Sequence, residues 1–317
     1  MYDCVKNIKE KKVQKIDGAL FLVSEKHTLK ARNGTDYLGL KLKDKSGVID
    51  AKVWNNLIHL SKNFKEGDFV KIKGESNFYN DSWQIIIKDI KKADDKEIKK
   101  EDFLPSTDKN IGSMKNELFA VINSIKNQSL KKLVLNVFED EDFLSKFVKS
   151  PAAKTMHHAY VGGLLEHTLS VAKIALEMGD FYKEIDKDML VSCALLHDIG
   201  KVYELDPITF NYTTEGKLLG HIVIGYTMVQ NRIEKLNILS SEKAMNILHC
   251  ILSHHGEYEY GSPKKPKTKE AVLFNLIDIL DSRMQPVSDA QFSGDSQWSD
   301  MVRIIGKNIY SSRCVDE

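Results

Sequence analysis

Up to about residue 90, apolar residues either alternate with polar ones or gather in short runs. Residues 18–23 form one such run, and 37–42 alternate as Tyr-Leu-Gly-Leu-Lys-Leu. Residues 47–54 alternate again after the turn signal Asp44-Lys45-Ser46-Gly47. Residues 69–74 and 83–90 follow, the latter behind the polar turn Asn80-Asp81-Ser82. A period of two between turn residues predicts strands, and five of them with one helix-capable insert at 55–64 predict a small β-barrel. The almost wholly charged run 91–102 predicts an exposed linker. From about Ile111 the spacing becomes three and four: Leu118, Ile122, Ile125, then Leu133, Val137, then Leu164, Leu165, Val171, Ile174, Ala175. Residues 188–196, 242–252 and 269–284 read as three more helices, with Pro151, Pro207, Pro263 and Pro266 between helical stretches. The fold class expected is α+β multidomain: a small N-terminal barrel over 1–92, a charged linker over 93–110, and an all-α domain with a C-terminal extension over 111–317.

Composition narrows the class. A chain of 317 residues with 42% hydrophobic positions and a net charge of +1 can bury two cores and is not disordered. No stretch approaches the roughly 18 apolar residues of a membrane span, so no membrane partner is expected. The opening MYDCVKNIKEKKVQ lacks the apolar centre of a secretory signal, which makes the cytoplasm the expected location. Cys4, Cys193, Cys250 and Cys314 are too scattered for a disulfide framework or a cysteine-built zinc site. The small net charge hides a split. Residues 1–100 carry 22 Lys and Arg against 15 Asp and Glu, and the remainder carries 24 against 30. A basic β half suits a polyanion-binding module, although lysines that merely keep a small barrel soluble would give the same balance.

Eight of the ten histidines lie in the helical half: His157, His158, His167, His197, His221, His249 and the pair His254-His255. Several sit where helices begin or end, as in Glu166-His167-Thr168, His197-Asp198-Ile199-Gly200-Lys201 and Ser253-His254-His255-Gly256. Asp278 and Asp281 follow three residues apart on a late helix. Imidazoles and carboxylates converging from several rigid elements, with no thiolate, suit manganese, iron, zinc or magnesium better than a structural zinc site. Any one of these histidines would by itself be read as structural. The ordered series across four or five helices is what points to a metal centre.

The order His167, His197-Asp198, Asp278 resembles the HD superfamily of metal-dependent phosphohydrolases. The segments HHAYVGGLLEHTLSVAKIA, LLHDIGK, EGKLLGHI, SHHGEYEYGSPKKPKTKEA and IDILDSR are similar, more narrowly, to the YhaM-type 3′-5′ exoribonucleases, in which an OB-fold precedes an HD domain. The resemblance covers essentially the whole chain. It implies that His167, His197, Asp198 and Asp278 hold one divalent ion. His221 and one of His254 and His255 would complete a second ion's shell, with Asp198 bridging. Which of the pair ligates stays open, since adjacent helical residues point about 100° apart. Lys201 matches a lysine that would touch a phosphate oxygen, and its plain alternative is a helix-end lysine complementing the dipole. Asp281 either orients a ligand or pairs with Arg283. His157 and His158, just ahead of the first ligand helix, are candidates for substrate contact, whereas His249, about 140° around its helix from His254, reads as structural.

The chemistry that follows is metal-assisted hydrolysis of a phosphodiester with Asp198 and Lys201 at its centre, releasing nucleoside 5′-monophosphates. Neither a nucleophile elbow nor a P-loop is present to compete with it. Manganese is the favoured ion; magnesium, iron and cobalt share these ligands. In the barrel, Trp54, Phe78, Tyr79 and Trp83 interleave with Lys52, Lys71, Lys73 and Lys88, the ingredients of a single-strand binder. Lys52, Lys71, Lys73, Tyr79 and Trp83 are the expected substrate contacts, with Tyr79 and Trp83 as the exposed platform. The expected partner is single-stranded RNA with a 3′ tail, single-stranded DNA being open as a second substrate. The aromatics of the tail after Gln285 suit packing on the helical domain or, second, a homo-oligomer contact. Two other readings compete. One is an OB-fold accessory factor of replication or repair with a regulatory HD site. The other is a small-molecule nucleotide phosphohydrolase, for which the basic barrel would be superfluous.

Overall fold

The computed structural model describes residues 4–10, 13–31, 34–54, 59, 62–98, 103–154, 158–292, 296–302 and 304–311. The chain divides into two units, Met1–Ser106 with Asp206–Asn211, and Thr107–Leu205 with Tyr212–Glu317.

The first unit is a closed five-stranded barrel preceded by the short helix α1 (Cys4–Lys9). Its strands are β1 (Lys15–Lys30), β2 (Asp36–Asp44), β3 (Gly47–Val53), β4 (Phe69–Tyr79) and β5 (Ser82–Lys92), in the order β1-β2-β3-β5-β4. Alternation builds the core directly. Leu38, Leu40 and Leu42, then Ile49, Ala51 and Val53, then Ile85 and Ile87 all point inward, while their neighbours face outward. β1 is long enough to pair with β2 through one half and β4 through the other. Register shifts at Asp17/Ala19 and Val23/Glu25 let it curl, and the parallel pairing of β3 with β5 closes the cylinder. Asn80 and Asp81 adopt φ of 49° and 58° in the two-residue β4–β5 turn, the left-handed pair that a tight hairpin requires. Val5 and Ile8 of α1 join the barrel core, and the buried Asp44 accepts the Val5 N–H at 3.0 Å.

The strands run longer than the hydrophobic runs that announce them, because outward residues carry no apolar signal. Lys91 and Lys92 are therefore part of β5, paired with Lys71 and Val70, rather than linker. The helix expected over 55–64 falls mostly outside the described residues. Lys43 of β2 is pushed down to about 8 by burial. Its charge penalises the folded state at neutral pH, and the penalty lifts between pH 8 and the ordinary lysine value near 10.5, where only the unfolded chain keeps the proton. Stability against urea is expected to rise across that interval, and Lys43→Met to be stabilised at pH 7 and to lose the rise.

The second unit is helical: α2 (Ile111–Ser124), α3 (Gln128–Phe138), α4 (Glu141–Phe147), α5 (Gly163–Phe181), α6 (Lys187–Leu196), α7 (Lys201–Glu204), α8 (Thr214–Leu236), α9 (Ser241–Ser253) and α10 (Lys269–Ser288). Polar side chains start most of them by accepting a free backbone N–H, among them Asn110, Asn127, Asp140, Asp186, Thr213, Ser240 and Thr268. α6 is buried from Met189 through Leu196 and packs against α3, α5, α9 and α10, so its last turn ends inside the bundle. That burial explains why 188–196 reads as a nearly continuous apolar run. α8 escapes the sequence reading because Gly220, at φ 74° and ψ 157°, breaks its period halfway. After α10 the expected extension forms isolated strand bridges, Phe292 with Ser299, Trp298 with Tyr310 and Val302 with Lys307. No helix among the described residues is long and apolar enough to cross a membrane.

Candidate active site

His167 on α5, His197 and Asp198 at the end of α6, His221 on α8, His254 and His255 at the end of α9, and Asp278 on α10 meet within the helical unit. Two groups form. In the first, His167 Nε2 lies 3.2 Å from His197 Nε2 and 3.2 Å from Asp278 Oδ1, while Asp198 Oδ2 lies 3.5 and 3.2 Å from the two imidazoles. In the second, His221 Nε2 lies 3.3 Å from His255 Nε2, and Asp198 Oδ1 lies 3.6 Å from His221 Nε2 and 3.7 Å from His254 Nε2. Asp198 thus turns one oxygen to each group. His167, His197 and Asp198, and separately His221, His254 and His255, have the ligand spacing of a metal site.

The five imidazoles are held alike. His167 Nδ1 donates to Asp281 Oδ2 at 2.7 Å, His197 Nδ1 to the Ala194 carbonyl at 2.9 Å, and His221 Nδ1 to Glu204 Oε1 at 2.9 Å. His254 Nδ1 donates to the Ile251 carbonyl and His255 Nδ1 to the Tyr260 carbonyl, both at 2.7 Å. With every Nδ1 proton engaged, each ring turns its Nε2 to the centre. Lone pairs at 3.2 and 3.3 Å repel unless a proton or cation lies between them. Asp198 Oδ1 and His254 Nε2 are moreover buried without a hydrogen-bond partner. Unpaired buried polar atoms are costly, and a set of imidazole nitrogens and carboxylate oxygens around them fits divalent cations. Burial would raise Asp198, but His197 and Lys201 beside it hold its carboxyl well below the usual range. Burial would lower His167, yet Asp278 and Asp281 on its two nitrogens raise it to about 9. His254 is pushed down by burial and by His255 and His197, which keeps its lone pair available.

Two backbone features make the gathering possible. Gly200 follows the His-Asp pair, and a Cβ there would stand 2.1 Å from the His221 carbonyl oxygen, so only glycine lets α8 approach. The kink at Gly220 frees the His221 N–H, which Glu204 Oε1 accepts at 2.9 Å along with the ring proton. A cavity of about 550 Å³ opens over the centre, with Asp198, Lys201, Asp278, Tyr260 and Arg283 among its lining residues.

A groove of about 330 Å³ lies on the barrel face shared by β1, β2 and β3 and reaches the β4–β5 turn. Lys52 stands in it with its Nζ 5.4 Å from the Tyr79 ring centre and 5.7 Å from that of Tyr37. The Tyr37 ring is 5.4 Å from Trp54, and Tyr79 and Trp54 are exposed.

A family model described as an OB-fold nucleic acid binding domain matches residues 16–93, and one described as an HD domain matches residues 164–283. The 3′-5′ exoribonuclease YhaM of Bacillus licheniformis is 35% identical over 262 residues, covering 82% of this chain and 82% of that protein. The protein of the same name from Bacillus subtilis matches with the same identity and coverage. The chain belongs to the YhaM family of 3′-5′ exoribonucleases. Among solved structures, a replication protein A heterotrimer bound to single-stranded DNA is 14% identical over 27% of this chain and 62% of that chain, with a TM-score of 0.22.

For this YhaM-family member the structure brings together all seven expected ligand candidates, and both His254 and His255 face the second group. Lys201 lines the same cavity and pairs with Asp198 Oδ2 at 2.6 Å. It opens the short α7 rather than ending a helix. His249 accepts the Lys267 N–H at 2.9 Å, a structural bond. Asp281 orients His167 and does not join Arg283. Three sets of expected substrate contacts lie outside the cavity and the groove. His158 is buried behind Asp281, with its Nδ1 at 2.7 Å from the Tyr160 hydroxyl, and so does not reach the cavity; His157 lies outside the described residues. Lys71 and Lys73 do not line the groove and pair with Glu97 at 3.4 Å and Asp17 at 3.1 Å. Trp83 is half-buried against the barrel core under Phe78, so it is no open platform. Lys52 and Tyr79 do line the groove. The sequence reading missed Glu204 and Tyr37. Glu204 sits one turn past Lys201, where only the His221 contact reveals its use.

Proposed function

We propose that the chain is a divalent-cation-dependent 3′-5′ exoribonuclease that trims single-stranded RNA with an unpaired 3′ tail, and also single-stranded DNA, to nucleoside 5′-monophosphates. The observation that carries this reading is the pair of ligand groups divided by the two oxygens of Asp198. His167, His197, Asp198 and Asp278 would hold one cation, and Asp198, His221, His254 and His255 the other. Manganese is the favoured ion. Two divalent ions so placed supply charge neutralisation on a phosphodiester and acidify water near it. The chain's own residues do the rest. Lys201, kept protonated against its burial by Asp198, offers a positive charge to a phosphate oxygen, and Arg283 supplies a second at the cavity wall. The apolar packing around α6 keeps bulk water from the buried side of the centre and strengthens each electrostatic contact. On the barrel, Tyr79 and Tyr37 offer ring faces to bases while Lys52 follows the phosphates, a mode tolerant of sequence. A cytoplasmic location accords with this substrate.

Incubating the protein with Mn²⁺ and a labelled RNA bearing a 3′ overhang tests the reading. Stepwise loss of single 3′ nucleotides with arrest at the duplex is expected, and internal cleavage or release from the 5′ end would contradict it. In the barrel, Tyr79→Ala is expected to weaken single-strand binding by about 1–3 kcal/mol with little change in salt dependence. Lys52→Ala should instead flatten the slope of log affinity against log salt by about 0.7, as one lost phosphate contact does. Fluorescence anisotropy across a salt series separates the two.

A further inference from the structure

Behind the first ligand group runs a chain of buried and half-buried polar side chains that the reaction does not itself use. Asp281, which takes the His167 Nδ1 proton, also accepts the Ser170 hydroxyl and lies 3.6 Å from His158 Nε2 through its Oδ2. His158 Nδ1 meets the Tyr160 hydroxyl at 2.7 Å, and that hydroxyl donates to Glu166 Oε2 at 3.0 Å. Glu166 accepts further bonds from the Thr107 hydroxyl at 2.6 Å and Lys109 Nζ at 2.8 Å. With the Lys109 ammonium on one oxygen and two hydroxyls on the other, Glu166 is placed as an ionised acceptor.

Donor and acceptor rules then fix the direction of the bonds from Glu166 as far as His158. An ionised Glu166 can only accept, so Tyr160 must give its single proton there. The Tyr160 oxygen is left to accept, so His158 must carry its proton on Nδ1. Its Nε2 packs against Asp281 at 3.6 Å, a contact that becomes a donated bond only when that nitrogen is protonated as well, so Asp281 is enclosed by two imidazoles and a serine. The backbone at His158 has φ 54°, the left-handed region that a histidine seldom adopts. Strain of this kind at a buried polar residue persists where the surroundings hold it, and it clusters around working sites.

We propose that Glu166, Tyr160 and His158 are positioning residues that fix Asp281, and through it the ring of His167, so that they set the cation affinity of the first ligand group alone. The inference rests on the two-cation reading above. None of the three touches the second group, whose imidazoles are oriented by Glu204, the Ile251 carbonyl and the Tyr260 carbonyl. Loss of such an outer partner typically costs 10–100-fold in metal affinity.

Titration of the chelator-stripped full-length chain with Mn²⁺ alone, followed by the spectrum of the free ion, tests this without reference to turnover. In a His221→Ala background, which disables the second group, Tyr160→Phe is expected to weaken Mn²⁺ binding at least tenfold. In a His167→Ala background, which disables the first, the same change should leave affinity within twofold. Glu166→Gln keeps an acceptor for the Tyr160 hydroxyl and should restore most of the first-group affinity relative to Glu166→Ala. His158→Asn provides an independent variant: asparagine tolerates the left-handed backbone and can still donate to Tyr160, but it does not span the distance to Asp281. It should reproduce the Tyr160→Phe loss. Equal weakening in both backgrounds, or no weakening in either, would overturn the proposal. A wild-type chain that binds no Mn²⁺ would instead remove the two-cation reading, and this inference with it.

Discussion

Asp198→Asn is expected to lower RNA turnover by about 10⁴-fold or more, equivalent to roughly 5.5 kcal/mol of transition-state stabilisation. The substitution keeps the side chain's volume, so the bundle should fold. It replaces one oxygen that faces lone pairs with an amide nitrogen that cannot ligate. Asp198 is the one described side chain in contact with both ligand groups and with Lys201. One change therefore weakens both cation positions and frees the lysine at once. The expected pattern is a collapse of kcat with circular dichroism unchanged and with bound Mn²⁺ falling from two ions per chain to one or none. Effects of groups that act as a unit are not additive, so adding His197→Ala to the asparagine variant should cost little more.

The second large effect is steric. Gly200→Ala would set a methyl 2.1 Å from the His221 carbonyl oxygen and 2.7 Å from the Gly225 nitrogen, both backbone atoms that cannot swing aside. α8 has to move away from the end of α6. That withdraws His221 from Asp198 Oδ1 and from His255 Nε2, and it loosens the contact of Glu204 with His221. Overpacking of this kind costs about 1–3 kcal/mol in stability. The functional loss should be larger than the stability loss, because the second ligand group depends on a placement of tenths of an ångström. We expect at least a 100-fold drop in kcat at a temperature where the variant remains folded, which a melting curve beside a steady-state assay would show. Gly200 has no side chain to ligate a cation or bind RNA, and the methyl would press only on α8, so a drop that large would report the approach of the two helices.

Much of this arrangement is legible along the chain, and what escaped has physical reasons. The alternation of Leu38, Leu40 and Leu42 names strand, face and core in one stroke, and the period of three and four from Ile111 marks the change to helices. The ligand candidates stand out because imidazole and carboxylate residues recur at helix ends with no local structural need for them. What the sequence does not carry is direction. His254 and His255 are adjacent and would diverge on a regular helix, yet both face the centre because the helix ends just before them: Ser253 closes α9 and His254 is its cap. His158 resembles a substrate contact by position but is turned inward by its left-handed backbone. Trp83 alternates with core residues on β5 and so packs with them, while Tyr79, two steps before the turn's end, is left outside. Lys71 and Lys73 fall on a strand whose outward face is not the groove. Glu204 has no motif at all, since its role exists only once Gly220 kinks α8.

The most direct test is a crystal of the wild-type chain grown with Mn²⁺ and measured at the manganese edge. Two anomalous peaks are predicted, one among His167, His197 and Asp278, the other among His221, His254 and His255, with Asp198 between them. A single peak that Asp198 does not touch, or ions bound away from these side chains, would contradict the account.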